Sequence, residues 1–456
     1  MIENTIVAIS TAVGNGGIGI IRMSGEKCFK ILEKIFIPKN KQKRIKGYTI
    51  KYGNIVEDNN IIDEVLVSYF IAPNSYTTEN MCEINTHGGI VVERKILNLC
   101  LKHGAELAQP GEFTKRAFLN GRIDLSQAEA VMELINSKSE LEAQESALQL
   151  EGALSKKIKK IEKKLLNVIT SIEVTIDYPE YDIDEVKDND ILSELKDVNE
   201  ELENLINSFN NGRLLKNGVK TVILGRPNVG KSSLMNSILN EDRAIVSSIE
   251  GTTRDTIEEY VNVFGIELKL VDTAGIRSTD NEIEKIGVEK AKNYADNADL
   301  IIALFDITKD LNEEDYEIIS IIKEKAALIL LNKVDITDKN EKMEASLKKV
   351  RKPIIKISAI KNEGIDKLYS KIVELFNFEE IERESKVIIT NERHKNLIVK
   401  ANNCVLDAIK SYENNIPIDI SSVYIKQSLE FLGEIMGQNI SNEIINEIFK
   451  NFCLGK

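Results

Sequence analysis

Two rhythms of hydrophobic and polar residues divide this chain. Between residues 1 and 118, short strand-like runs recur at 5–9, 19–23, 47–56 and 64–71, broken by Gly, Asn and Pro. Residues 90–102 instead carry helical spacing. This first unit reads as α+β. From 119 to 212 the 3.6-residue rhythm takes over. Ala128, Val131, Leu134 and Ile135 share one face of a long segment opened by Asp124-Leu-Ser-Gln127, and Ile158, Ile161 and Leu165 share one face of another. Tyr178-Pro179-Glu180 interrupts the helix, because proline lacks the amide donor and restricts its neighbour. Residues 213–378 alternate apolar runs with helical stretches, an α/β pattern. Residues 391–412 and 421–451 are helical again, with Pro417 between them. The economical architecture is multidomain: an α+β unit at 1–118, and an all-α domain split into 119–212 and 379–456 by an inserted α/β domain at 213–378.

The inserted domain carries the clearest chemistry. Residues 221–224 form an apolar run, Gly225 to Ser232 reads G-x-x-x-x-G-K-S, and helical spacing follows. Strand, glycine loop and helix together make a P-loop, whose successive amides and helix N-terminus point at phosphate. Asn228, Val229, Gly230, Lys231, Ser232 and Ser233 line it. Lys231 would neutralise the β- and γ-phosphates, and the Ser232 hydroxyl would ligate Mg²⁺. Asp272-Thr273-Ala274-Gly275 closes the run at 266–271, where the carboxylate can hold Mg²⁺ through water and the Gly275 amide can meet the γ-phosphate. Asn332-Lys333-Val334-Asp335 follows the run at 326–331. A carboxylate at Asp335 accepts the N1–H and amino donors of guanine, a pair adenine does not present. Ser358 and Ala359, after 353–357, fit a loop offering amides to the guanine oxygen. Each motif ends a strand-like run, where open α/β sheets bind ligands. The expected substrate is therefore GTP.

Composition bounds the rest. The 456 residues are 42% hydrophobic and 29% charged, as expected for a soluble globular protein. A net charge of −13 argues against non-specific nucleic-acid binding over the whole surface, but leaves room for a local basic patch. Lys156 to Lys164 holds six lysines within nine residues, which reads as a solvated helix face or as an RNA-facing one. The basic stretch 39–46 reads as a solvated loop. Cys28, Cys82, Cys100, Cys404 and Cys453 are scattered without a C-x-x-C pair, so reduced thiols and a cytoplasmic location are expected. Three isolated histidines give no metal-ligand spacing. Met1-Ile2-Glu3 has no basic leader, and no apolar run approaches the ~20 residues of a membrane span. The glycines at 14–19 match G-x-G-x-x-G, but a strand rather than a helix follows them, so a dinucleotide site is not expected. His87-Gly88-Gly89 reads as a turn.

Gly225-Arg-Pro-Asn-Val-Gly-Lys-Ser232, with Gly251-Thr-Thr-Arg-Asp255, resembles the translation-factor-type GTPases that include Era, EngA and MnmE. Three further features narrow this. They are Gly19-Ile-Ile-Arg22 with Thr86-His-Gly-Gly89, the segment Pro110-Gly-Glu-Phe-Thr-Lys-Arg-Ala-Phe-Leu-Asn120, and the closing Cys453-Leu-Gly-Lys456. Together they resemble the MnmE family of tRNA-modification GTPases over essentially the whole length. That resemblance implies a folate-binding-like N-terminal domain that mediates homodimerisation. It also implies a flavin (FAD) partner, MnmG, in a heterotetramer. The activity implied is use of a tetrahydrofolate one-carbon unit, from a 5-formyl or methylene form, to build a carboxymethylaminomethyl-type group on C5 of wobble uridine in tRNA. Folate would dock at Arg22, Glu83, Arg122 and Lys456. Cys453 would be the family's C-terminal cysteine, either a catalytic thiol or a small buried hydrophobe.

Within the GTPase, Ile276 stands where Ras-like proteins place a water-orienting Gln, and it cannot hydrogen-bond. The resemblance assigns that work to Glu284, though an exposed carboxylate opening a helix fits the residues equally. It also implies that Asn228 helps bind K⁺ where other GTPases use an arginine finger. Switch I would complete that site around Ser247, Ile249 and Thr252, with Thr253 on Mg²⁺ and Ser248, Glu250 and Gly251 beside the nucleotide. A ribosome-assembly GTPase of the Era or EngA kind is the alternative. The absence of a KH-type G-x-x-G unit after 378 weighs against it.

Overall fold

The computed structural model describes residues 4–12, 14–40, 47–177, 185–239, 259–263, 266–270, 294–376, 387–414 and 416–456. Its contacts divide the chain into two compact units. One comprises Met1–Asn136, Ser146–Asn199 and Leu397–Lys456; the other comprises Ser137–Glu145 and Glu200–Asn396. This division is coarser than the four segments expected, and it assigns helical residues 200–217 and 392–396 to the nucleotide unit.

The first unit is built on a seven-stranded sheet of order β3-β4-β5-β6-β2-β1-β7. Its strands are β1 Ile6–Ile9, β2 Ile18–Ser24, β3 Phe36–Pro38, β4 Thr49–Glu57, β5 Asn60–Phe70, β6 Met81–His87 and β7 Glu106–Leu107. All neighbours run antiparallel except β1 and β7. Helices α1 (Cys28–Ile35) and α2 (Ile90–Lys102) supply Ile31, Ile35, Ile96 and Leu99 to a core with Val7, Ile21, Met23, Val67 and Ile84. Side chains alternate across a strand. Arg22 and Glu83, register partners on β2 and β6, therefore fall on the face opposite Ile21 and Ile84. The four expected strands and the helix at 90–102 all form. The pattern reading missed α1, β6 and the short strands β3 and β7. The first is only two turns long, and Cys, Glu, Asn and Thr in β6 blur its alternation.

A helical array follows within the chain: α3 Glu112–Leu119, α4 Leu125–Asn136, α5 Glu140–Leu150, α6 Ala153–Asp177 and α7 Glu185–Asn217. The segment expected as one long helix from 124 is thus several. Gly152, at φ 84, makes the turn between α5 and α6 that an L side chain would resist. Helix α6 ends one residue before Tyr178-Pro179, and residues 178–184 lie outside those described. Ile158, Ile161 and Leu165 are fully buried, as their spacing predicts.

The second unit holds a six-stranded sheet of order β13-β12-β11-β8-β10-β9. The strands are β8 Val219–Leu224, β9 Glu259–Val263, β10 Ile266–Leu270, β11 Leu300–Asp306, β12 Ala327–Asn332 and β13 Ile354–Lys356. All pairs are parallel except β9 with β10. Helices α8 Lys231–Leu239, α9 Glu313–Ile322, α10 Glu341–Lys348 and α11 Ile365–Leu375 connect them. Two apolar clusters cover the two faces, and every residue of β11 is buried. A run such as Leu300–Asp306 is continuous rather than alternating because a parallel strand is enclosed on both sides.

Three helices finish the chain: α12 Glu392–Glu413, α13 Ile418–Met436 and α14 Asn442–Lys450. Pro417 sits at the N-cap of α13, where its missing amide costs no hydrogen bond.

Candidate nucleotide site and a second polar cluster

The phosphate loop runs from Gly225 at the end of β8 to Lys231 at the start of α8. Its path needs left-handed backbone at Asn228 (φ 60) and Gly230 (φ 103). A Cβ on Gly230 would also lie 2.3 Å from Asn332 Nδ2, so glycine is required there twice over. Lys231 Nζ donates to Gly225 O at 2.6 Å and to Arg226 O at 3.1 Å, which holds the ammonium over the loop. Ser232 and Ser233 lie in the first turn of α8, and Val229 is buried.

The base-recognition loops are tied to this one. Asn332 ends β12. Its Nδ2 donates to Val229 O (2.8 Å), and its Oδ1 accepts from Ala359 N (3.0 Å). Lys333, itself at φ 69, donates to Asn228 O (2.9 Å) and to Asp306 Oδ2 (2.6 Å). Ser358 Oγ donates to Asp335 Oδ1 at 2.7 Å, and Val334 N donates to Ile357 O at 3.3 Å. The structure thus brings together Asn228, Val229, Gly230, Lys231, Asn332, Lys333, Asp335, Ser358 and Ala359. Ser247, Ser248, Ile249, Glu250, Gly251, Thr252, Thr253, Asp272, Thr273, Ala274, Gly275 and Glu284 lie outside the described residues.

Two contributors were missed in the sequence. Asp306, at the carboxyl end of β11, is 1% exposed and receives Lys333. Burial would raise its carboxyl, but Lys333 and the Thr308 donors hold it below the ordinary value. Its position at a parallel strand's carboxyl end was the available signal. The other is a pair: Arg226, inside the phosphate loop, meets Asp315 at 3.0 Å, with the two side chains 13% and 1% exposed. Asp315 also closes a capping box with Asn312 at the start of α9. Burial raises its carboxyl despite the Asn312 amide and the Arg226 charge. No local pattern links residues 226 and 315.

A second cluster lies in the first unit. Arg22 Nη2 and Nε both reach Glu83 Oε1, at 2.7 and 2.9 Å, and Nη1 donates to Gly455 O at 3.1 Å. The Arg22 guanidinium stands 5.5 Å from the Tyr76 ring centroid and 5.6 Å from that of Phe113. Arg122 lies 4.5 Å from the centroid of the same Tyr76 ring. The Cys453–Lys456 segment is built in rather than trailing. Gly111 N donates to Cys453 O, Phe113 N to Lys456 O, and Ser10 Oγ to Gly455 O. Gly455 has φ 85, and a Cβ there would lie 2.5 Å from Ile9 O. Arg22, Glu83, Arg122 and the backbone of Lys456 therefore share one neighbourhood. Cys453 is exposed, which removes the reading of it as a buried hydrophobe.

Beneath this cluster, fully buried Arg116 pairs with Glu79 and Glu112 and donates to Asn4 O. These bonds fasten α3 to the start of β1 and the loop before β6. Among the described residues no group of three or more His, Cys, Asp or Glu could hold a metal ion. No described helix is long and apolar enough to cross a membrane.

Known proteins match this chain both in separate stretches and end to end. A family model described as MnmE helical domain matches residues 125–453, and one described as GTP-binding protein TrmE N-terminus matches residues 5–122. Proteins named tRNA modification GTPase MnmE are similar end to end. The Acetivibrio thermocellus protein is 48% identical over 457 residues, covering 100% of this chain and 99% of its own length. Those of Clostridioides difficile (48%) and Finegoldia magna (45%) match over 100% of both chains. With the helical-domain model spanning well over half the sequence and such relatives aligned throughout, the chain belongs to the MnmE family of tRNA modification GTPases.

Proposed function

We propose that this chain hydrolyses GTP to drive or gate a tRNA modification. In this reading it works with a flavin-dependent MnmG partner and adds an aminomethyl-type group, carboxymethylaminomethyl in the full product, to C5 of wobble uridine. A tetrahydrofolate derivative, 5-formyl or methylene, supplies the carbon, and the protein acts as a cytoplasmic homodimer. The observation that carries the reading is the joining of Arg22, Glu83 and Arg122 with the Cys453–Lys456 segment in a chain that also holds the Asn332–Val229 phosphate-loop tie. Ribosome-assembly GTPases share the nucleotide motifs, but those motifs alone account for nothing at Arg22 or Gly455.

On the GTP side, Asp335 selects guanine by accepting its two donors. Asn332 and Lys333 hold the base loop against the phosphate loop, so base recognition positions the phosphates. Ser232, Thr253 and Asp272 offer the oxygen donors that suit Mg²⁺, which would neutralise charge on the β- and γ-phosphates. Asn228, with Ser247, Ile249 and Thr252, offers neutral oxygens of the kind that suit K⁺. Glu284 is assigned to orienting water, since Ile276 cannot.

On the folate side, both Arg22 donors fall on Glu83 Oε1, which leaves Oε2 to take an amide–amine edge such as a pterin presents. Arg22, Arg122 and Lys456 suit the glutamyl carboxylates. Two measurements test the sites. GTP turnover should be faster in K⁺ than in Na⁺ at matched ionic strength and fall with Asn228→Ala; equal rates would remove the K⁺ site. 5-Formyltetrahydrofolate should bind the full chain and be lost with Glu83→Gln; unchanged binding would remove the folate site.

A further inference from the structure

Helix α6 places its six clustered lysines unequally. At about 100° per residue, Lys156, Lys159, Lys160 and Lys163 fall within a single arc of about 100°. Ile158, Ile161 and Leu165 fall on the opposite side and are buried. All four lysines are exposed, and none enters an ion pair among the described residues. Lys157 and Lys164 flank the arc, half-buried and already engaged. The one carboxylate in this stretch, Glu162, is half-buried, and burial raises its pKa despite Lys159.

This arrangement works against the helix. Lys156 with Lys160, and Lys159 with Lys163, are like charges one turn apart. They stand in the N-terminal half, where the helix dipole is already positive, and the first turn carries no acidic residue. A face needed only for solubility would place Glu or Asp there. The result is a concentrated positive stripe, about 10 Å long, on a chain of net charge −13.

We propose that the outward face of α6, formed by Lys156, Lys159, Lys160 and Lys163, binds the phosphate backbone of RNA. The stripe spans a few successive phosphates, and the exposed Asn167 continues it with a neutral hydrogen-bonding group. Contacts of this kind position an RNA without reading its sequence. Given the function proposed above, on which this inference rests, the RNA is the tRNA substrate.

The test uses the full chain and an unmodified tRNA transcript, with affinity measured across a series of salt concentrations. Lys156→Gln/Lys160→Gln/Lys163→Gln keeps helix-forming side chains. It should weaken binding by about tenfold or more and flatten the slope of log K against log salt by about two to three. The Glu triple variant should weaken binding further. GTP turnover should stay as in the parent chain, and thermal unfolding should come no earlier than in the parent, since the substitutions relieve like-charge repulsion along the helix. Unchanged affinity and slope would overturn the proposal, as would failure of the parent chain to bind tRNA at all. So would RNA binding that stays intact in both variants while an acidic peptide loses its hold. The wobble nucleoside in cells is read alongside. A parent chain that restores it while the variants bind tRNA normally overturns this face alone; a parent chain that fails to restore it overturns the functional reading.

Discussion

The two candidate sites are assembled in opposite ways. The nucleotide site is made of loops that each end a parallel strand, and its cross-ties run from the side chains of one loop to the next loop: Asn332 to the Val229 carbonyl, Lys333 to the Asn228 carbonyl, Ser358 to the Asp335 carboxylate. The sheet delivers these loops to one edge, so short motifs suffice to specify the site. The Arg22 cluster is made instead of side chains from β2 and β6, the loop before β6, and a segment more than 430 positions later. Its ties depend on packing of the first unit as a whole. The first site should therefore fail by losing ligand contacts, and the second by losing its own assembly.

The largest expected effect comes from Asp335→Asn. Removing the carboxylate proposed to accept two guanine donors should cost roughly 3 kcal/mol or more of GTP affinity, about a hundredfold. The same change should improve binding of xanthosine triphosphate, whose C2 oxygen can accept from the new amide. A nucleotide titration reads both. Retained GTP preference would mean that another group reads the base.

Arg226→Met comes next. It strands the buried Asp315 carboxylate and should destabilise the second unit by about 3 kcal/mol. Denaturant unfolding followed with a probe in that unit should register the loss, while folate binding persists. An unchanged midpoint would make the pair a bystander.

Gly455→Ala tests the other mode of failure. At φ 85, with Ile9 O 2.5 Å from the new Cβ, the tail must shift. Folate affinity should fall about tenfold, on the order of the 1–3 kcal/mol such strain costs. GTP turnover should stay unchanged. Loss of turnover would contradict the separation of the two assemblies.

The smallest effect concerns His87. Asp63 accepts from both the His87 amide (2.9 Å) and the His87 ring at Nδ1 (2.7 Å), and it raises the imidazole pKa above 6.5. A raised folded-state value means that the pair's contribution is present below pH 6.5 and fades as pH rises through the folded value. NMR titration should find the midpoint above 6.5 and see it fall in Asp63→Asn. A midpoint at or below 6.5 in the parent chain would mean that the contact does not form.

Legibility in the sequence follows the same division. Gly225–Lys231, Asn332-Lys333 and Asp335 could be read directly, because their chemistry rests on backbone shape and strand ends. Strands and helices with clean periodicity, such as Ile90–Lys102, could also be read. The Arg226–Asp315 pair could not, since an isolated charge in a glycine loop and another at a helix start carry no mutual signal. Nor could the anchoring of Gly455 by Arg22 and Ser10, which exists only once β2 and the chain end are folded together. Of these, the resemblance names Arg22 and the Cys453–Lys456 segment, and the geometry supplies Ser10, Asp315 and the contacts.

The central claim is that one tRNA modification needs both sites. The wobble-uridine nucleosides of tRNA, measured by mass spectrometry in cells lacking this protein, test it most directly when the cells are supplied with the parent chain, Lys231→Ala or Glu83→Gln. The parent chain should restore the C5 substituent, and neither variant should, although Lys231→Ala still binds folate and Glu83→Gln still hydrolyses GTP. Restoration by either variant, or tRNA that never changes in the protein's absence, would contradict the account.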